Sequence, residues 1–299
     1  MLTRSRSHVA IVGWLFVLCM AVGIVALAAP VRIGIVTDVH AHDTDSPVEG
    51  KVMTNYGERL AAFVDAVNSI GADAVIELGD LVNGTFVMGG EAGDEARIPA
   101  ILASAEAFLA ELEPPRYYVL GNHDVYSLNK EEFLDIVAAD SASFSFDIGG
   151  FHIVLLDAQY NAAGEDLGHA FWVVPGSIPQ AELDWLKEDL EATDKPTIVC
   201  IHQPLDVDFA LLAGGPEIKN HLEVRSVLEA AGSVVAVFQG HTHEFSHSEI
   251  EGIHYITFAA MVDHTEPIPP TWAVVTLDDE ARTLVIDGEG DQPDATYTF

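Results

Sequence analysis

The chain has 299 residues, with 47 acidic side chains against 13 basic ones, a formal charge of −34, and a hydrophobic share of 49%. That apolar share is ample for a folded core and speaks against disorder of the whole. The acidic surface repels polyanions, so no stable nucleic-acid binding is expected. A charge of this size predicts a heavily solvated surface, suited to surroundings in which salt screens the repulsion.

Arg4 and Arg6 give the chain a basic start, followed by the apolar run Val9–Ala26 and the small-x-small sequence Ala26-Leu27-Ala28. Residues 1–29 therefore read as a signal peptide or a signal anchor, since the run is also long enough to span a bilayer. Residues 30–299 read as one domain. Export is expected: periplasmic, extracellular or membrane-anchored facing outward, with membrane contact only through an uncleaved N-terminal segment. Beyond the leader the only cysteine is Cys200. It predicts a buried thiol in the run Thr197–Ile201 and no intrachain disulfide.

From Val31 onward, apolar runs of strand length alternate with amphipathic stretches. Val31–Thr37 reads as a strand buried on both faces, and Asn55–Ile70 as a helix presenting Tyr56, Leu60, Phe63, Val64 and Val67. Ala74–Leu78 is the next strand, Pro99–Leu112 the next helix and Tyr117–Leu120 a third strand. This alternation predicts a largely parallel sheet with right-handed crossovers. Ser143–Ile148 and Phe151–Asp157 form a predicted hairpin about Gly149-Gly150. Ser177-Ile178-Pro179-Gln180 resembles a capping box opening a helix that buries Leu183, Leu186 and Leu190. Strands Thr197–Ile201 and Val234–Phe238 flank a helix near His221–Ala231. Short strands near Ile253–Phe258, Trp272–Leu277 and Thr283–Asp287 end the chain. The expected result is an α/β protein with a mixed sheet system and helices outside.

Five of the strands run into residues that coordinate metals: Asp38-Val39-His40, Gly79-Asp80, Gly121-Asn122-His123-Asp124, His202, and Gly240-His241-Thr242-His243. One such block is common in unrelated chains. Five, each after a strand, can converge at the carboxyl edge of an open sheet. On an extended chain, Asp38 and His40 would share a face, as would His241 and His243. Oxygen and imidazole donors without thiolate suit Mn, Fe, Zn or Co. Two cations at short separation stabilise the oxygens of an in-line displacement.

In this order the blocks closely resemble the calcineurin-like metallophosphoesterase superfamily over Val31–His243. The resemblance implies a four-layer α/β sandwich of two mixed sheets flanked by helices, holding two divalent or trivalent metal ions. It implies that Asp38, His40, Asp80 and His243 hold one ion, with Asp80 bridging to a second held by Asn122, His202 and His241. It further implies in-line attack of a metal-bridging hydroxide on phosphorus. His123 would protonate the leaving oxygen or steady the transition state, and Asp124 would orient and charge that imidazole; a turn residue is the alternative for Asp124.

Leu120 stands where the related protein phosphatases carry a basic residue, and Asn83 stands where purple acid phosphatases carry a tyrosine. What remains resembles compact phosphodiesterases of cyclic nucleotides, glycerophosphodiesters and nucleotide diphosphates. The expected substrate is a small phosphodiester or phosphomonoester. The alternatives are a non-catalytic metal-binding scaffold of the same fold and an exported nuclease. The loops Asn83–Ile98, Gln159–Ser177, Gln203–Asn220 and Met261–Pro270 are candidate lids. His42, Asn83, Arg97, Tyr126 and His169 are candidate substrate contacts, while His152, His221, His247 and His254 match no block.

Overall fold

The computed structural model describes residues 29–45, 50–84, 95–168, 176–206, 218–262 and 269–299. The leader, His169 and the central parts of the four candidate lids lie outside the described residues. Among the described residues no helix is long and apolar enough to cross a membrane.

The strands of the first sheet are β1 (Val31–Val36), β2 (Ala74–Glu77), β3 (Arg116–Tyr118), β10 (Trp272–Asp278), β11 (Thr283–Glu289) and β12 (Ala295–Thr298), in the order β12-β11-β10-β1-β2-β3. Its β1-β2-β3 half is parallel and its other half antiparallel. The second sheet is built from β4 (Phe144–Ile148), β5 (Phe151–Leu155), β6 (Thr197–Cys200), β7 (Val234–Gln239), β8 (Ser246–Ile250) and β9 (Ile253–Thr257), in the order β4-β5-β6-β7-β9-β8. Both sheets are mixed, as expected of the sandwich.

Alternation along the strands produces the layers, because successive side chains leave a strand on opposite faces. Ile33, Ile35, Ile76 and Leu78 of the first sheet meet Ile153, Leu155, Ile198, Cys200 and Phe238 of the second in one buried core. On the outer face of the first sheet, Val36 and Val75 pack under α1 (Tyr56–Ile70), α2 (Ile98–Leu109) and α4 (Lys130–Val137). Leu60, Phe63 and Val67 come from the first of these helices and Leu102, Ala105 and Leu109 from the second. On the outer face of the second sheet, Val154, Val199 and Val237 pack under α5 (Gln180–Glu191) and α6 (His221–Ala231), against Leu183, Leu186, Leu190, Val224 and Leu228. The order is helix, sheet, sheet, helix.

One sequence expectation is corrected, the capping box at Ser177, and several elements were not foreseen. Helix α5 starts at Gln180 with Pro179 as its cap and no side-chain capping bond. Ser177 is instead held in a loop, its amide on the Ala158 carbonyl and its hydroxyl on Asn220 Oδ1. A capping box does occur, at α4, where Asn129 and Glu132 satisfy each other's backbone amides. Short α3 (Asp124–Ser127), α4, β8 and β12 were not anticipated; the strands among them are half-exposed, so their hydrophobic pattern is weak.

Candidate metal centre

The metal-block residues collect where the parallel strands of the two sheets end. Beyond β1 and β2 the ladder continues into the loops: Asp38 N donates to Gly79 O, His40 N to Asp80 O and Ala41 N to Leu81 O, each at 2.9 Å. Across the sandwich, His241 N donates to Asp38 Oδ2 at 2.9 Å, and Thr37 Oγ1 to the same oxygen at 2.7 Å. The close approach of these loops depends on glycine, across the sandwich at Gly240 and within the first sheet at Gly121. A Cβ on Gly240 would stand 2.1 Å from Thr37 Oγ1, and one on Gly121 2.1 Å from Asp80 Oδ1.

Asp38, His40, Asp80, His241 and His243 all have positive φ, between 47° and 72°, and make up five of the eight such non-glycine residues described. They do not lie on extended chain, as their two-residue spacing suggested. Left-handed turns, not strand alternation, bring each pair to one side. Such backbone costs about 1–3 kcal/mol per residue and persists where the surroundings hold it. Its concentration here marks the site.

Three sets of ligand atoms lie within 4.8 Å of one another: Asp38, His40 and His243; His40, Asp80 and His123; and Asp80, His202 and His241. Two of the imidazoles are oriented from behind. His40 Nδ1 meets Asn83 Oδ1 at 2.8 Å and His202 Nδ1 meets the Leu78 carbonyl at 2.8 Å. Both acceptors hold a proton on Nδ1 and turn Nε2 inward, as the partners of metal-ligating histidines do. Inward, His40 Nε2 stands 3.0 Å from His243 Nε2, and His202 Nε2 stands 3.2 Å from Asp80 Oδ2 and 3.3 Å from His241 Nδ1.

These residues fit a pair of cations. Asp38 Oδ1 and Asn122 Oδ1 are buried and accept no hydrogen bond, which is costly unless something else satisfies them. Burial, and then the charge of Lys51, hold the His40 imidazole well below the usual range. Burial, and then His202, lower His241 to about 3. Both are therefore neutral donors at physiological pH. Burial works against charge on Asp80 and His202, but each outweighs it for the other: Asp80 is held well below the carboxylate range and His202 rises to about 9. A cation there would replace the proton.

His123 comes to the same centre. Its amide donates to Asp80 Oδ1 at 2.8 Å, its ring meets His40 edge-on at 4.7 Å, and its Nδ1 meets the Asn83 carbonyl at 2.8 Å. That carbonyl, not Asp124, orients the imidazole. The Asp124 carboxylate is taken up by three backbone amides, those of Asp80 (2.8 Å), Gly121 (2.9 Å) and Val82 (3.1 Å). The expectation that it charges His123 is corrected: one residue on from His123, it turns under the loop and ties two ligand blocks together. Asn83 is a positioning residue for both histidines.

Of the other candidate contacts, Tyr126 packs beside Gly84, while His42 and Arg97 both meet Asp43. The sequence reading missed Glu77. It is buried beneath the centre with Oε2 unpartnered, and burial, then the Asp124 charge, raise its carboxyl well above the usual range. A lone acid inside the apolar run Ala74–Leu78 was the available signal.

The calcineurin-like phosphoesterase family profile matches residues 31–245. The chain belongs to that family. The expectation of a metal-dependent phosphoric ester hydrolase therefore holds at the level of the family. Among its relatives, a cAMP/cGMP dual specificity phosphodiesterase of Mycobacterium tuberculosis is 26% identical over 226 residues, which cover 73% of this chain but only 63% of that protein. A manganese-dependent ADP-ribose/CDP-alcohol diphosphatase of Oryza sativa is 24% identical over 58% of this chain and 68% of its own length. A dimetal phosphatase from Danio rerio superposes with a TM-score of 0.72 at 19% identity, covering 91% of this chain and all of that one, and so shares the fold.

Proposed function

We propose that the chain hydrolyses a small phosphodiester, with a phosphomonoester as the second possibility, using two cations at the centre. Asp38, His40, Asp80 and His243 would hold one cation, and Asp80, Asn122, His202 and His241 the other. The observation that carries this reading is that the set of Asp38, His40 and His243 and the set of Asp80, His202 and His241 are joined by a third, in which His40 and Asp80 come together with His123, while Asp38 Oδ1 is buried without a hydrogen bond. Cations bound there supply Lewis-acid charge to a phosphoryl group and acidify water. Manganese is favoured because the Oryza sativa relative is manganese-dependent.

The protein's own groups do the rest. His123 Nδ1 is tied to the Asn83 carbonyl, so Nε2 is the atom that carries a proton to the leaving oxygen. The buried imidazoles and carboxylates keep their geometry without reorganising as charge develops. Export of the domain belongs to the same reading and rests on the sequence of residues 1–29; cytoplasmic protein with an intact N-terminus would count against it.

The test is hydrolysis of bis-p-nitrophenyl phosphate with added Mn. Turnover is expected in the wild type and loss in Asp80→Ala, together with loss of bound metal. Full activity of Asp80→Ala, or an inactive wild type with both metals bound, sinks the reading.

A further inference from the structure

A second group of buried ionisable side chains lines an open cleft of about 510 Å³ between α4, α5 and the loop after β5. No residue of the five metal blocks is among those lining it. Asp157 and Glu182, 0% and 8% exposed, are its buried acids, and Leu134, Tyr160, Pro179 and Trp185 give it apolar and aromatic walls. The buried pair Gln159 and Gln203 stands between the cleft and the metal centre. The Gln159 amide donates to Asp157 Oδ1 at 2.8 Å, while its Nε2 donates to the Leu120 carbonyl at 2.9 Å and to Gln203 Oε1 at 2.8 Å. Leu120 precedes the Gly121-Asn122 block and Gln203 follows His202.

One of the two acids is incompletely bonded. Lys130 Nζ pairs with Asp157 Oδ2 at 2.6 Å and with Asp166 Oδ1 at 3.0 Å, and lies 3.0 Å over the Tyr160 ring. Glu182 Oε1 accepts Ser143 Oγ at 2.6 Å and the Asp157 amide at 2.9 Å. Glu182 Oε2 has no donor among the described residues, although the residue is more than nine-tenths buried. That oxygen is not sealed in the interior, so it opens onto the cleft that Glu182 lines. Burial, and then the Asp157 carboxylate, raise Glu182 to about 7. Above that pH it carries a charge with no cation of its own, which is costly at such burial.

The missing partner is a cation that donates hydrogen bonds and carries an apolar body. A bare metal ion would fill little of a cleft whose size suits a small organic molecule, and it would leave the apolar walls wet. A quaternary ammonium has no N–H to give Oε2. Anions are repelled, because Asp140, Asp157 and Glu182 line the cleft against a single lysine.

We infer that this cleft binds a small primary ammonium ion, with its N–H groups on Glu182 Oε2 and its hydrocarbon against Trp185. The site is separate from the phosphoester centre, and the inference stands without the two-metal reading.

The probe is 2-phenylethylammonium, titrated calorimetrically into the Mn-loaded full chain at constant KCl and about pH 8, where Glu182 is ionised. Its neutral counterpart 2-phenylethanol and its N,N,N-trimethyl derivative are titrated beside it. The primary ammonium is expected to bind with Kd of about 1 mM, ordinary for about nine non-hydrogen atoms. Both counterparts should bind at least about tenfold more weakly, the size of one hydrogen bond to a charged group. Glu182→Gln keeps an acceptor for Ser143 and the Asp157 amide and removes the charge, so it should raise Kd by about the same factor. Lowering the wild type to about pH 5.5 protonates Glu182 and should weaken binding about tenfold as well. That arm decides the matter if Glu182→Gln fails to fold. A Kd within twofold of wild type in folded Glu182→Gln, or unchanged at the lower pH, overturns the inference. So does a wild type with no binding below about 10 mM, or one that holds the alcohol or the trimethyl derivative as tightly as the primary ammonium.

Discussion

His40 and His243, 203 residues apart in sequence, face each other Nε2 to Nε2 at 3.0 Å. The Asn83 side chain holds the Nδ1 proton of His40, so at most one proton can lie between the two inward nitrogens. Asp38 Oδ1 completes the corner, 3.3 Å from His243 Nε2 and 3.6 Å from His40 Nε2. Such a corner is far better suited to a cation than to a proton.

Metal removal should therefore loosen the fold as well as the chemistry. At a metal concentration one hundred times Kd, binding adds about 2.7 kcal/mol. For a domain of this size that is roughly 5–10 °C in Tm. Thermal scans in Mn and in EDTA are expected to differ by this much, and His243→Ala should shrink the difference. Identical scans with and without chelator would rule out a preformed metal centre.

Asp124 makes a sharper case because two roles predict different outcomes. Three backbone amides end on its carboxylate. Asp124→Ala leaves all three buried and unpaired, a loss of about 3 kcal/mol or more by urea unfolding. Asp124→Asn keeps an acceptor and should recover part of it. If Asp124 instead acted through His123, Asp124→Ala would keep its stability and shift the pH profile of turnover.

The α/β alternation and the identity of the blocks were legible because each carries a local signal; the four-layer sandwich followed from the family resemblance of those blocks. The strands are short apolar runs, the helices show a buried stripe, and five strand ends carry hard or borderline ligands. What the sequence hides is conformation at single residues. The spacing of Asp38 and His40 fits an extended chain, yet both are left-handed, because contacts from residues near 80, 241 and 261 hold them there. Asp124 follows His123 directly, but α3 begins at this point and turns its carboxylate under the loop. Adjacency in sequence is a poor guide to partnership where the chain changes direction.

Glu182 supplies a pH dependence away from the centre. Burial, and then the Asp157 carboxylate, push its carboxyl from 4.5 up to about 7, while Oε1 accepts from the Asp157 amide and Ser143 Oγ. A raised folded-state pKa means the folded chain holds the proton more tightly than the unfolded chain does. The associated stability is fully present below about pH 4.5 and is lost as pH rises through about 7. The loss is about 3 kcal/mol. Glu182→Gln keeps the acceptor and cannot ionise, so wild type should fall behind it by that amount between about pH 4.5 and about pH 8 in parallel urea titrations. A constant difference would show that Glu182 ionises freely in the fold.

Salt should act in the opposite direction to its usual effect on ion pairs. With a formal charge of −34, repulsion among carboxylates opposes the compact state, and few basic residues are available to offset it. Raising ionic strength from about 0.01 M to about 1 M shortens the screening length from about 30 Å to about 3 Å. Exposed pairs such as Lys187 with Glu191, 3.9 Å apart, contribute little that screening could remove. Tm is therefore expected to climb with added KCl by at least about 4 °C. The comparison is made at fixed Mn, so that metal occupancy does not contribute. A Tm that is flat or falls over this range would mean the acidic surface is already relieved at low salt, by bound cations or by carboxylates that retain protons.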